Sequence, residues 1–392
     1  MTMGFRTRRI SLSILVALLA PPKPKPKPNE ADKKKPGVLA RILAFFSVFK
    51  LSLERFREEL FGELRNEVWG IEEEGYVRSL KGTEGTEGGA KGSLKGLGEG
   101  LKQAGDMGYS GSTFFTTPDS KYLIKSLPRP SEYSFFKDDL LDAYAAHMKA
   151  NPDSFLVRIT DFLHSPTPSI GILLGLTPSH HIVMENILYG KAEGEWEGAI
   201  REGEWETYDL KPIDYFYPER DLAGGHLASD AVKDKLVDKF EDKVRLTRDE
   251  KAKLVARLEK DTEVLAKRNV TDYSLFLVRY PNPEASGIVD ASVPIPPSKC
   301  LSDWRRGVVS RDGKWVYRAL LLDFFWAKHK LQPIAMTALV KSFNVLGGKK
   351  VGGGRMSITT EPGEYRERFL GMVETIVVGE SEDESEEGER EE

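Results

Sequence analysis

The chain has 392 residues, is 40% hydrophobic and 30% charged, and carries a net charge of −4, the balance of one large two-lobed globular domain or two ordinary ones. Its single cysteine, Cys300, excludes an internal disulfide framework and any multi-cysteine zinc site, and fits a reducing, intracellular setting. The six histidines form no HExxH pair, so a structural metal is not expected.

Charge is spread unevenly. Residues 1–50 hold eleven Lys and Arg against Glu30 and Asp32, a local +9, whereas residues 380–392 hold nine acidic side chains and Arg390, a local −8. The segment 379–392 therefore reads as a disordered, solvating acidic tail. At the other end Arg6, Arg8 and Arg9 precede "ISLSILVALLA" (Ile10 to Ala20), which resembles the front of a secretory signal. Against that, Leu18 stands where a small residue is wanted, Pro21 would follow a cut at Ala20, and the run is short of the roughly 20 residues that span a bilayer. "PPKPKPKP" (Pro21 to Pro28) is an extended linker that cannot form a core. Residues 1–36 are expected to be a disordered basic arm, with a signal or anchor as the lesser reading.

From residue 37 the pattern is helical, and Leu39, Ile42, Leu43, Phe46 and Phe49 form a stripe that packs on a lobe or, beside Lys33, Lys34 and Lys35, lies on a membrane. Residues 82–100, "GTEGTEGGAKGSLKGLGEG", are a flexible Gly-rich insertion. "STFFTT" and "KYLIKSL" flank Pro118-Asp119-Ser120 and predict a β-hairpin. Ser131 to Pro152 predicts a helix with Phe136, Leu140, Tyr144 and Met148 on one face. "SIGILLGL" and "HHIVMENILYG" read as strands, and the two copies of "EGEWE" as a hairpin bringing Trp196 near Trp205. "RLTRDEKAKLVARLEKDTEVLAKRN" is a helix burying Leu254, Leu258 and Leu265. It runs into "VTDYSLFLV", and "GVVSRDGKWVYRALLLDFFW" then predicts a hairpin before a last helix, "EPGEYRERFLGMVETI".

Two carboxylates stand in apolar runs, Asp272 and Asp323, and ionised carboxylates are rarely buried without a partner. Lys125 ends the first hairpin, downstream of small residues Gly108 to Ser112 whose backbone N–H groups could approach phosphates closely. Phosphoryl transfer asks for these parts: a cation on the phosphates, a carboxylate on the attacking hydroxyl and a carboxylate on Mg²⁺. Each has a plainer use, since strand lysines are commonly solvated and aspartates near strands commonly cap turns. Spacing alone leaves the choice open.

From about Phe49 to Val378 the chain resembles the catalytic domain of the phosphatidylinositol phosphate kinases, most of all the phosphatidylinositol 3-phosphate 5-kinase branch. The likeness is carried by "SGSTFFTTPDSKYLIKSL", "HHIVMENILYG", "VTDYSLFLV", "ALLLDFFW" and "VKSFNVLGGKKVGGGRMSITTEPGEYRERF", in the family's order. It implies an α/β (α+β) two-lobed lipid-kinase fold with antiparallel sheets and flanking helices, an N-lobe over 37–204 and a C-lobe over 205–378. It implies ATP and Mg²⁺ as cofactors. Gly108, Gly111, Ser112 and Lys125 would meet the ATP phosphates, main-chain groups of Met184, Glu185 and Asn186 would hold adenine, and Lys211 would line the nucleotide site. Asp272 would orient or deprotonate the inositol hydroxyl and Asp323 would bind Mg²⁺. Lys341, Lys349, Lys350 and Arg355 would meet anionic head groups. Glu132 would pair with Lys125, with Asp138, Asp139 and Asp142 as competitors. The implied partner is a phosphatidylinositol monophosphate at a cytosolic membrane face, reached by peripheral association; no nucleic acid is expected, and a homodimer is compatible with the resemblance.

One motif departs from the family. Where the family has Asp-Leu-Lys-Gly-Ser and a downstream arginine, this chain has "DLKPIDYFY", keeping Lys211 but placing Pro212 and Ile213 after it, with Arg220 a candidate for the lost charge. Proline removes a donor and fixes φ. The expected function is ATP-dependent phosphorylation of the inositol ring at its 5-hydroxyl. The alternatives are a catalytically impaired pseudokinase that binds nucleotide or phosphoinositide, and a soluble kinase or ligase acting on a small phosphorylated metabolite.

Overall fold

The computed structural model describes residues 4–21, 51–82, 100–104, 112–167, 169–191, 205–212, 238, 240–283, 303–327 and 361–379. The chain divides into two compact units, the first built from residues up to Tyr133 and Arg158–Tyr189, the second from Ser134–Val157 and the described residues from Gly190 onward.

The first unit contains α1 (Phe5–Leu18), β1 (Glu54–Arg55), α2 (Glu58–Glu63) prolonged by a π-helical turn over Leu64–Val68, α3 (Glu73–Lys81), and the strands β2 (Lys102–Ala104), β3 (Phe114–Thr116), β4 (Tyr122–Leu127), β5 (Ile159–His164) and β6 (His180–Glu185). The strands form one antiparallel sheet in the order β1-β5-β6-β4-β3-β2. The expected hairpin is β3–β4. Its turn is closed by Asp119, whose carboxylate accepts from the Thr117 hydroxyl at 2.7 Å and the Lys121 N–H at 3.2 Å, and Ser120 takes the left-handed conformation (φ 60°). Every residue of β4 is buried.

Beneath the sheet lies a buried charge cluster. Asp161 on β5 is fully buried, and its Oδ2 accepts from Tyr76 on α3 at 2.8 Å, from Arg65 at 3.0 Å and from Arg55 at 3.2 Å. Glu73 accepts from Nε and Nη2 of Arg65, and Glu58 accepts from Nη1 of Arg55. The cluster ties β1, the π-helical turn and α3 to the middle of the sheet.

Two expectations are corrected here. Residues 5–18, placed in a disordered arm, form α1, with Ile10, Ile14, Leu15 and Leu18 buried and the Ser13 hydroxyl accepting from the Leu51 N–H at 3.1 Å. The apolar run explains the helix: its side chains recur on one face and find cover in the first unit. No described helix is long and apolar enough to cross a membrane. "SIGILLGL", read as a strand, is instead a single helical turn over Ile170–Leu173, capped by the Ser169 hydroxyl on the Ile172 N–H and ended by Gly175 at φ 67°. An apolar run resembles a buried strand by composition alone, but this one has glycines where a turn needs them and no sheet to join.

A helical stretch over Pro130–Phe135 passes into the second unit at Ser134, and there a π-helical turn over Phe136–Leu140 leads into α4 (Leu141–Ala150). Phe136, Leu140, Tyr144 and Met148 are all buried, as their spacing predicted. This segment was expected within the first lobe, but it groups with the second unit. The reason lies in its partners: the Tyr144 hydroxyl donates to the Val157 carbonyl at 2.8 Å, His147 Nε2 lies 2.6 Å from Asp261, and Val157 and Phe155 hydrogen-bond Leu321.

The sheet of this unit runs β11-β12-β10-β7, with β7 (Glu206–Leu210), β10 (Ser274–Pro281), β11 (Val308–Val309) and β12 (Trp315–Leu322), all antiparallel. Between β7 and β10 come β8 (Val244–Arg245), α5 (Arg248–Lys267) and β9 (Val270–Thr271). A Thr247–Glu250 capping box starts α5, and Leu254, Leu258 and Leu265 are buried. Mid-helix Asp261 is buried and accepts from Ser154 (2.7 Å), the Phe155 N–H (2.6 Å) and His147, joining α5 to the segment after α4. After β12 come β13 (Trp326–Ala327), which pairs with β9, then α6 (Pro362–Ile376) and β14 (Val377–Val378), parallel to β8. Of the expected Trp196–Trp205 hairpin, Trp205 is described and stacks on Tyr280 of β10, whereas Trp196 and the stripe from Leu39 to Phe49 lie outside the described residues.

Asp161→Leu strands two buried guanidinium groups and is expected to destabilise the protein by about 3 kcal/mol or more. The check is a urea midpoint measured against the parent; a shift below about 1 kcal/mol would show that Glu58 and Glu73 suffice for both arginines.

Candidate active site

Asp272 and Asp323 occupy equivalent places in two paired strands. β10 pairs with β12 up to Ser274↔Leu322, and β9 pairs with β13 from Thr271↔Trp326, so both chains leave one ladder and enter another at the same level. Asp272 and Asp323 sit in these breaks, both left-handed, at φ 66° and 60°. Aspartate is among the few non-glycine residues that adopt this conformation readily. Non-glycine residues held there cluster at functional sites.

Buried aromatic rings on either side fix the breaks. Tyr273 packs edge-on against Tyr365 and Phe369 of α6, with ring centroids 4.7 and 5.0 Å apart, and the Tyr365 hydroxyl donates to the Tyr273 carbonyl. Phe324 stacks on Tyr144 at 6.0 Å, and Phe325 meets Phe136 at 5.3 Å. Each aspartate is thus followed by an aromatic anchor, and the carboxylates stay half-buried while their neighbours are in the core.

The strand alongside supplies the cation. β7 pairs with β10 through Leu210↔Leu275, and the next residue, Lys211, is buried with its Nζ 2.5 Å from Asp272 Oδ1. Pro212 lies beyond the last paired residue of β7, so the departure in "DLKPI" takes no donor from the β7–β10 ladder. The continuation from Ile213, with Arg220, lies outside the described residues.

A third carboxylate belongs to the same set, and sequence reasoning missed it. Burial pushes the Asp209 carboxyl above the ordinary carboxylate range; Lys211 and the Ser274 hydroxyl oppose that, while Asp323 and Asp238 reinforce it. Asp272 is likewise raised, first by burial, with Lys211 opposing and with Asp323 and Asp209 adding their like charges. Asp209 Nα–H donates to the Asp238 carboxylate at 2.7 Å. The signal was present in the alternation of a strand: Asp209 is two residues before Lys211 and therefore faces the same way.

Mutual repulsion of Asp209, Asp272 and Asp323 is relieved by added positive charge, and oxygen donors of this kind suit Mg²⁺, which needs only one or two carboxylates besides waters and phosphates. Among the described residues no group of three or more His, Cys, Asp or Glu converges tightly enough to hold an ion unaided. The donor set fits a cation that arrives with phosphate.

In the first unit, Lys125 on β4 is buried between β3 (Phe114↔Lys125) and β6 (Lys125↔Ile182), its ammonium 5.7 Å from the Phe114 ring centroid. Ser112 is buried at the start of the hairpin. Glu132 accepts from Arg129 at 3.0 Å. Asp138 and Asp139 fall in the π-helical turn and Asp142 in the first turn of α4, all in the second unit. Met184, Glu185 and Asn186 end β6, but two of their main-chain donors are already used. The Glu185 N–H donates to the Arg158 carbonyl and the Asn186 N–H to the Lys121 carbonyl, each at 3.0 Å. Of the main-chain groups expected to hold adenine, these two N–H donors are thus bonded within the unit. The Asn186 side chain instead braces the hairpin, donating to the Ser120 carbonyl at 2.7 Å. Gly108, Gly111, Lys341, Lys349, Lys350 and Arg355 lie outside the described residues.

A lysine-held carboxylate with two further aspartates in range of its charge is what phosphoryl transfer asks of a protein. The family model for phosphatidylinositol-4-phosphate 5-kinase matches residues 97–294, just over half of the sequence, and the chain belongs to that family. Over 187 residues, 47% of its length, it is 28% identical to a probable phosphatidylinositol phosphate kinase of Dictyostelium discoideum. Over 228 residues, 58% of its length, it is 27% identical to a phosphatidylinositol 4-phosphate 5-kinase of Plasmodium falciparum (isolate 3D7). The matches span 23% and 12% of those relatives' own lengths, and they single out no branch of the family.

The raised pKa of Asp209 has a stability consequence. A carboxylate raised in the folded state opposes folding once ionised, and this penalty vanishes as the pH falls through the raised value to the ordinary one near about 4. Asp209→Asn is therefore expected to raise the Tm at pH 7, with the gain shrinking as the pH is lowered through that window in thermal unfolding. A lowered Tm at pH 7 would show that attraction to Lys211 outweighs burial.

Proposed function

We propose that the chain is an ATP-dependent phosphatidylinositol phosphate kinase, transferring the γ-phosphoryl group to the 5-hydroxyl of the inositol ring of a phosphatidylinositol monophosphate. The observation that carries the reading is the buried Lys211 joined to Asp272 at 2.5 Å, at the strand break shared with Asp323. Family membership and the names of the two relatives support the lipid substrate. The Plasmodium relative's name favours a 4-phosphate lipid, whereas the motif likeness described above favours the 3-phosphate branch.

In this reading the inositol hydroxyl oxygen attacks the γ-phosphorus, the bond to the bridging oxygen breaks with its electron pair leaving on ADP, and the hydroxyl proton passes to Asp272. The raised pKa of Asp272 makes it a better proton acceptor than an ordinary carboxylate, and Lys211 keeps it ionised and aimed. Asp323, with Asp209 nearby in charge, would hold Mg²⁺, which when bound neutralises charge on the transferred phosphate. Lys125 would meet the ATP phosphates. Lys341, Lys349, Lys350 and Arg355 would draw the enzyme to anionic head groups at a cytosolic membrane face, about 1 kcal/mol for each. Turnover is favoured over binding alone because Pro212 falls past the ladder and Lys211 keeps its carboxylate.

The test is transfer of labelled phosphate from ATP and Mg²⁺ to vesicles carrying one phosphatidylinositol monophosphate at a time. Asp272→Asn is expected to lower kcat by about 100- to 10,000-fold with nucleotide binding retained. Asp323→Asn is expected to raise the Mg²⁺ concentration needed for half-maximal rate, and chelation to abolish turnover of the parent. Absence of product from every lipid, in protein that binds ATP, would overturn the kinase reading.

A further inference from the structure

The connection between β5 and β6 has no part in the site described above, yet it is unusual in three respects. Residues 165–179, "SPTPSIGILLGLTPS", contain no charged side chain in a chain that is 30% charged. Leu173, Leu174 and Leu176 project from it with 63%, 65% and 39% of their surface exposed, the first two among the most exposed large apolar residues described. Its backbone, by contrast, is not left to water. The N–H groups of Ile172 through Thr177 are all bonded within the turn: Ile172 to the Ser169 hydroxyl, Leu173 to Ser169, Leu174 to Ile170, Gly175 to Ile172, and Leu176 and Thr177 both to Gly171. The neck is closed by the Ser165 N–H on the Ser179 carbonyl at 2.9 Å, and Pro178 has no N–H to satisfy.

We propose that this tip, Ser169 to Ser179, is a wedge that enters the surface of a lipid bilayer. Exposed leucines alone would suit any apolar partner. Six consecutive internally bonded N–H groups and the lack of charge discriminate, because hydrocarbon offers no partner to a backbone donor and penalises charge, whereas a protein partner tolerates both. The shape agrees: three leucines on a convex hairpin end present little area for a stable protein interface, which needs about 800 Å² from each side. The short turn depends on Gly175 at φ 67°, which allows Leu174 and Leu176 to point outward from one end. The wedge rests on the lipid-kinase reading for its purpose, but its binding is measurable without turnover.

The experiment uses the full chain with vesicles of phosphatidylcholine and phosphatidylserine, so that basic segments bind parent and variant alike. Leu173→Ser with Leu174→Ser is expected to weaken vesicle partitioning at least about tenfold, equal to about 1.4 kcal/mol. Thermal stability should stay unchanged, because neither side chain is buried. In a separate protein, Leu174→Trp is expected to show a blue-shifted emission on adding vesicles, quenched by lipids brominated along the acyl chain. Unaltered partitioning of the double variant, or an unquenched tryptophan, would overturn the wedge. So would a change from dimer to monomer in light scattering with partitioning intact, which would assign the leucines to a second copy of the chain. Phosphorylation of a short-chain, water-soluble phosphatidylinositol phosphate, measured on the same variants, reports on the kinase reading separately. It should be equal in parent and double variant.

Discussion

The second unit is organised around the repulsion between aspartates that the fold holds in range of one another. Asp209 lies on β7, and Asp272 and Asp323 sit at the shared break; burial and like charge both work against the ionised forms of Asp209 and Asp272. A single lysine, Lys211, offsets part of that cost. Such an arrangement persists only if the backbone is over-determined elsewhere, and the ladder from Ser274 to Pro281 against Trp315 to Leu322 does this. Tyr365 on the Tyr273 carbonyl and the Phe324–Phe325 pair in the core then leave the two aspartates no other place to go.

The left-handed backbone at Asp272 and Asp323 governs both the pairing of the strands and the placing of the carboxylates. A continuous strand would alternate its side chains and carry the ladder past both positions. A left-handed residue in each chain at one level interrupts both, and β9 pairs with β13 beyond the break. Glycine would make the break more cheaply but would carry no carboxylate. Some backbone strain is therefore retained at both positions together with the carboxylate.

Much of this was legible in the sequence, and the parts that were not have physical reasons. Period and turn chemistry located β3–β4, α5 and β12, because apolar period and turn residues are local signals. An aspartate inside an apolar run pointed to Asp272 and Asp323. Asp209 stayed hidden because "YDLK" reads as an ordinary edge strand until its pairing with β10 is known. The allocation of α4 was equally unreadable: it depends on His147 finding Asp261 more than a hundred residues away. "SIGILLGL" misled because composition speaks to burial, and this run is exposed.

Burial by itself does not separate the carboxylates of the candidate site from structural ones in this molecule. Asp161 and Asp261 are more deeply buried than Asp272, yet each is surrounded by donors: two guanidinium groups and a phenol for one, a hydroxyl, an imidazole and a backbone N–H for the other. Those donors tie them to neighbouring elements, so they lock the fold together, although Asp161 Oδ1 is buried without a hydrogen-bond partner. Asp272 has one strong protein partner on Oδ1 and is surrounded otherwise by like charge, so its environment is improved by a proton, a cation or a hydroxyl from outside. The distinguishing quantity is the sign of what is missing. A carboxylate encircled by donors is part of the frame, whereas one encircled by other carboxylates, with a single lysine to keep it charged, is prepared for a ligand that brings positive charge and a proton to give away.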